Sequence, residues 1–166
     1  MSKPTEINGW VFYWHQLFKN HNMYSFSGYL MELLEAVEKL QKDDPQNFHH
    51  HHTYKFFEQI DSSINNRIAP DPTNKEFLLG NTLGKKHRCW KRVKHALPPR
   101  YRLFFRYQTT PKEVVLVWLN NSRCLRKEGA KTDVYTVFAK MLKKGTVPNS
   151  IETLISESKL EEKKKA

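Results

Sequence analysis

RYRLFFRY, Arg100 to Tyr107, is the stretch on which the fold turns. At period two, Arg100, Arg102, Phe104 and Arg106 fall on one side, and Tyr101, Leu103, Phe105 and Tyr107 on the other. Alternation of this kind marks a half-buried β-strand. The apolar side can pack on a core. The other side carries three guanidinium groups, and like charges that close repel one another unless an anion joins them. The spacing therefore predicts a strand that turns Arg100, Arg102 and Arg106 away from the helices, toward water or a ligand.

The neighbouring segments extend this strand into a sheet. RCWKRVKH (Arg88 to His95) precedes it and EVVLVWL (Glu113 to Leu119) follows. The linkers ALPP and QTTPK are short enough for an antiparallel meander. NGWVFYWHQLF (Asn8 to Phe18) reads as a first strand running into a helix. From Ser27 to Lys42, Leu30, Leu33, Leu34, Val37 and Leu40 recur at helical spacing. DDPQN is a turn, and a second helix runs through TYKFFEQIDSSINNRI on a stripe of Phe56, Phe57, Ile60, Ile64 and Ile68. A last helix is capped by Thr132 or Asp133, striped by Val134, Val137, Phe138, Met141 and Leu142, and stopped by Gly145. The result is an α+β fold ordered β-α-α-β-β-β-α. Its four-stranded, mainly antiparallel sheet has helices on one face only. Residues 1–147 form the domain, and the charged tail 148–166 is expected to be disordered beyond its short apolar start. The expected core includes Leu30, Leu34, Val37, Ile60, Ile64, Leu103, Phe105, Leu116, Phe138 and Leu142.

Charge is concentrated where the strands are. Thirteen Lys and Arg lie between Lys85 and Lys127 against one acid, Glu113, while the rest of the chain carries −1 of the net +11. A dense basic block on a sheet calls for a polyanion. No apolar run approaches the ~18–20 residues of a membrane span. MSKPTEINGW lacks an apolar secretory core, so a soluble cytoplasmic protein with Cys89 and Cys124 reduced is expected.

The chemistry-bearing residues are few. His49 to His52 are consecutive and cannot converge on one ion as spaced ligands do, so they read as a solvated loop. His15 and His21 read as core or surface residues, and His87 and His95 flank the first basic strand. No phosphate-binding glycine loop, nucleophile elbow or metalloprotease helix is present, and no metal site or cofactor is expected. Scarce acids in the basic block disfavour a two-metal nuclease. Arginine binds phosphate bidentately, and aromatic side chains can stack on unpaired bases. The block thus suits RNA. Its candidate contacts are Lys85, Lys86, Arg88, Trp90, Arg92, Arg100, Arg106 and Lys131.

NGW near the start, DP at Asp44–Pro45, WKRVK, RYRLFFRY, LR at Leu125–Arg126 and KTDVYTVFAKML together resemble the YhaV toxins of bacterial type II toxin–antitoxin systems, within the RelE/ParE superfamily. The resemblance runs from Ile7 to about Gly145. It implies a RelE-like fold and an mRNA interferase, a metal-independent endoribonuclease that cuts mRNA, either free or on the ribosome. Carried over by position, the implied catalytic groups are Lys91, Lys94, Arg102, Arg126 and Tyr135. Lys91 or Lys94 would serve as base. Arg102 and Arg126 would hold charge on the phosphorane, and Tyr135 would stack on a base or orient the hydroxyl. The resemblance also implies a PrlF-type antitoxin with an AbrB-like domain, through which alone operator DNA would be met. A non-catalytic RNA- or ribosome-binding toxin and a ParE-like gyrase poison are the alternatives.

Overall fold

The computed structural model describes residues 5–19 and 30–165. His21 and the expected helix start at Ser27 lie outside the described residues. The chain forms a five-stranded mixed sheet in the order β1-β2-β5-β4-β3, one strand more than expected. The extra strand comes from a hairpin between β1 (Thr5–Ile7) and β2 (Trp10–Trp14). Asn8 and Gly9 join them at φ 54° and 82°, the left-handed pair that a two-residue hairpin turn requires.

β2 pairs in parallel with the central strand β5 (Lys112–Leu119), with Phe12 beside Val114. β4 (Leu103–Thr109) is antiparallel to β5 across a two-residue turn at Thr110–Pro111, and the short β3 (Lys91–Val93) closes the other edge. The register skips between Phe104 and Phe105, which face Trp118 and Leu116. Val117 is thus the extra residue of a bulge, and both Val117 and Trp118 turn to the same side.

Both faces of the sheet are covered, which corrects the expectation of one open face. On one side lie α2 (Leu30–Asp43) and α3 (His52–Ser62), the latter continued by a π-helical segment, Ser63–Ile68. Leu33, Phe56, Ile60 and Ile64 pack there on Phe12, Leu103, Phe105, Val114 and Leu116. On the other side lie α4 (Val134–Lys144) and α5 (Ile151–Lys165). Phe138, Leu142, Leu154 and Ile155 pack there on Tyr13, Phe104, Val115, Val117 and Trp118. The short α1 (Gln16–Lys19) follows β2. Val114 to Leu119 are all at most 1% exposed. A continuous apolar run of this kind is what a strand buried on both faces requires.

The helix signals act as expected at α4. Asp133 caps it by accepting from the Tyr135 amide, and Gly145 ends it in the left-handed conformation at φ 79°. In α2 the core position falls to Leu33, while Leu30 and Leu34 are only half-buried. The apolar start of the tail belongs to α5, where Ile151, Leu154, Ile155 and Ser158 are buried. His15 ties α5 down. The Leu17 amide donates to its Nδ1, so the ring proton sits on Nε2 and is donated to Glu157 at 2.8 Å.

Candidate active site

Alternation holds within β4, but the face that carries Arg102, Phe104 and Arg106 is the one α4 and α5 cover. This overturns, for Arg102 and Arg106, the expectation that the arginines turn away from the helices toward water or a ligand. Phe104 is core, stacked on Phe138 with ring centres 4.1 Å apart. Arg100 lies before the strand at φ 75° and is exposed; its Nε donates to the Arg126 carbonyl. Arg106 reaches over the Trp90 ring and donates to the Asn149 carbonyl, which holds the α4–α5 connection to the sheet.

Arg102 sits where the start of α4 meets the start of β4, only 6% exposed. Its Nε donates to the Tyr135 hydroxyl at 2.9 Å and its Nη1 to the Tyr101 carbonyl at 2.8 Å. Asn120, fully buried at the end of β5, fixes the surrounding backbone. Its Oδ1 accepts from the Arg102 amide at 2.7 Å, and its Nδ2 donates to the carbonyls of Cys124 and Arg100. The Arg126 amide also donates to the Arg100 carbonyl. One buried amide side chain thereby ties the approach to β4 to the segment that carries Arg126. Asn120 escaped the sequence reading; the only sign of it was a polar residue ending an apolar strand.

Tyr135 is the centre of the cluster. The guanidinium carbons of Arg126, Arg92 and Arg102 lie 5.0, 5.8 and 5.9 Å from its ring centre. A tyrosine face attracts cations at such distances. Asp133 is buried beneath them. Its Oδ1 accepts from Arg126 Nη1 at 2.9 Å and from the Lys127 amide, while its Oδ2 accepts from the Tyr135 amide. The carboxylate thus caps α4 and orients Arg126 at once. Burial pulls the Arg92 guanidinium below its ordinary range; Tyr135 opposes this, and Arg102 and Arg126 reinforce it. Three cations gathered on one ring, one of them disfavoured in its charged form, make a place where an anion relieves repulsion.

The expected residues divide. Arg102, Arg126 and Tyr135 meet. Lys91 and Lys94 do not join them. Lys91 faces the α3 side of the sheet, where its Nζ donates to the Arg88 carbonyl and lies 6.0 Å from the Tyr107 ring. Burial, and after it the charge of Arg106, pull its pKa down against the opposing influence of Cys89. Lys94 is exposed beyond the end of β3. The β3 cation that reaches the cluster is Arg92, paired beside Phe104. Period-two alternation makes this choice, since Val93 points to the α3 core and Arg92 must point the other way. Trp90 is no stacking platform: it is fully buried against Phe138, and its indole donates to Asn149. Lys85, Lys86, Arg88 and Lys131 are exposed. Of the histidine run, His51 caps α3 through Nδ1. Among the described residues no group of three side chains could hold a metal ion, and no helix is long and apolar enough to cross a membrane.

The fold and site thus define a class: an α+β domain with a covered mixed sheet, in which one buried and two half-buried arginines converge on a tyrosine at a helix start. The comparisons give the family. A model described as a toxin with endonuclease activity, of a toxin–antitoxin system, the YhaV toxins, matches residues 19–159. The ribonuclease toxin YhaV of Escherichia coli K12 is 38% identical over 159 residues, covering 95% of this chain and 97% of its own. Toxin YhaV of Escherichia coli O157:H7 matches equally over the same lengths. No solved structure gives a significant match. The chain belongs to the YhaV family of toxins with endonuclease activity.

Proposed function

We propose that this toxin cuts RNA by driving a 2′-hydroxyl onto the adjacent phosphate at the Arg92–Arg102–Arg126–Tyr135 cluster. The observation that carries the reading is the convergence of three guanidinium groups within 6 Å of one tyrosine ring whose hydroxyl is held by Arg102. The O2′–P bond forms, the P–O5′ bond breaks, and a cyclic phosphate is left. The 2′-hydroxyl gives its proton to solvent, and the 5′-oxygen takes one from Tyr135, which recovers it from solvent. Arg102 and Arg126 are placed to hold the negative charge that grows on the equatorial oxygens, where preorganised donors contribute most. Tyr135 accepts from Arg102 Nε, so its own proton is free to be donated toward the leaving oxygen. RNA supplies the nucleophile itself, so the reaction needs no metal-bound water. Lys91 and Lys94 belong in this reading to binding rather than to proton transfer. The family places the toxin beside an antitoxin; we assign that role to a PrlF-type protein with an AbrB-like domain, and the target to mRNA, free or ribosome-bound.

Single-turnover cleavage tests this. Arg102→Ala should lower the rate by about 10²–10³, the usual loss for one charge-stabilising donor, with a much smaller loss of affinity. Tyr135→Phe should lower the rate while keeping the ring. A 2′-deoxy substitution at the scissile nucleotide should abolish cleavage, and EDTA should leave it unchanged. Wild-type rates in Arg102→Ala, or cutting at a deoxy position, would overturn the reading.

A further inference from the structure

A cleft leaves the cluster along the outer face of α4. Arg126 and Tyr135 form its near end, Thr82 lines one wall, and Thr136, Lys140 and Lys143 line the other. Thr136, Lys140 and Lys143 stand at i, i+4 and i+7 and so share one helix face. From Tyr135 to Lys143 the axis runs about 12 Å at the α-helical rise, about three nucleotides at a stacked rise of ~3.4 Å. We infer that this cleft is the track that holds single-stranded RNA flanking the cleaved bond, with Lys140 and Lys143 as its phosphate contacts. The inference rests on the endoribonuclease reading and extends it to residues outside the catalytic cluster.

Three features favour RNA there. The cleft is continuous with the place where the phosphate would react. Its cations are spaced along a line rather than gathered at a point, as a linear polyanion requires. Its acids do not contradict this. Asp133 is consumed by three hydrogen bonds, and the Glu128 side chain is 90% exposed, with its carboxylate 3.9 Å from Arg126 Nη2. Glu128 therefore screens Arg126 in the free protein and must give way to a phosphate. Thr82 already donates its hydroxyl proton to the Leu79 carbonyl, so its oxygen is left to accept from a ribose hydroxyl or a base.

The test measures equilibrium binding of a short 2′-O-methyl single-stranded RNA, which cannot be cut, across a salt series. Lys140→Ala/Lys143→Ala should weaken binding about tenfold and shrink the slope of log K against log salt by about 1.4, two contacts at ~0.7 each. In cleavage the loss should appear in KM rather than kcat. Glu128→Gln should tighten binding about twofold, the scale of one exposed charge. Lys39→Ala/Lys42→Ala, the same charge change on α2 across the sheet, should shift binding far less. Equal shifts in the two double variants, or no shift in either, would overturn the track. So would lysine variants that bind RNA normally but escape the antitoxin, since the cleft would then be the antitoxin's. If Arg102→Ala abolishes cleavage while the lysine pair is silent, only the track fails. If the wild type neither binds nor cuts RNA, the endoribonuclease reading falls as well.

Discussion

At the scale of the residue, the two cysteines give a direct check of how the interior is built. Burial pushes the Cys124 thiol up to about 11, against a small opposing effect of the Asn121 backbone, while Cys89 is exposed. One thiol per native chain should therefore react with a disulfide reagent at pH 8, and two after denaturation; two in the native chain would mean that the Arg126 segment opens. The sign for stability follows. Above about pH 9 the unfolded chain ionises Cys124 and the native chain does not, so this group lowers stability as pH rises; Cys124→Ala should remove that part of the alkaline loss. The same scale shows what the sequence disclosed of the site. Arg102, Arg126 and Tyr135 were legible because their motifs surround them. From sequence, Arg92 reads only as an RNA contact and Lys91 and Lys94 as catalytic, although alternation puts Lys91 on the same face as Val93 and Arg92 on the other. Asn120 left almost no mark, since its importance lies in three backbone groups that only the fold brings to one side chain. Strand alternation turns Arg102 toward water or a ligand, yet it is buried and makes two side-chain hydrogen bonds. Arg102→Ala should therefore also cost about 1–3 kcal/mol, by leaving the Tyr135 hydroxyl unpaired.

At the scale of the element, α5 is the part the sequence concealed. Its charged second half suggested a solvated tail, and its apolar residues are too few to announce a helix. They suffice because they meet a prepared surface of Tyr13, Val115 and Trp118 rather than having to form a core by themselves. Leu154→Ala should then cost about 2–5 kcal/mol, as buried leucines do, measured by denaturant unfolding; a change under about 0.5 kcal/mol would mean that α5 only rests on the sheet. The run VVLVWL carried the related sign that the sheet is covered twice. An unbroken apolar run of this kind reports burial on both faces as well as strand type. Asn8–Gly9 likewise announced a hairpin, but the strand before it is only three residues long, too short for an alternation to stand out.

At the scale of the whole molecule, the basic block keeps its meaning although its geometry changes. Arg102 and Arg106 are built into the fold, while Lys85, Lys86, Arg88, Lys94, Arg100 and Lys131 remain exposed around it. If about five phosphates are met, log K should fall against log salt with a slope of about −3.5 on single-stranded RNA; a slope near zero would reduce the block to a solubilising surface. One consequence of the sheet order concerns synthesis rather than catalysis. β2 lies beside β5, and the Tyr13 hydroxyl donates to Glu113, 100 residues further along. A ribosome adding about 5–20 residues per second leaves β2 without its neighbour for roughly 5–20 s. Glu157, the partner of His15, emerges later still. An interrupted translation product therefore has an unpaired strand edge and no assembled cluster. Chains released before Tyr135 is made lack the cluster, and they should be substrates for proteases rather than poisons.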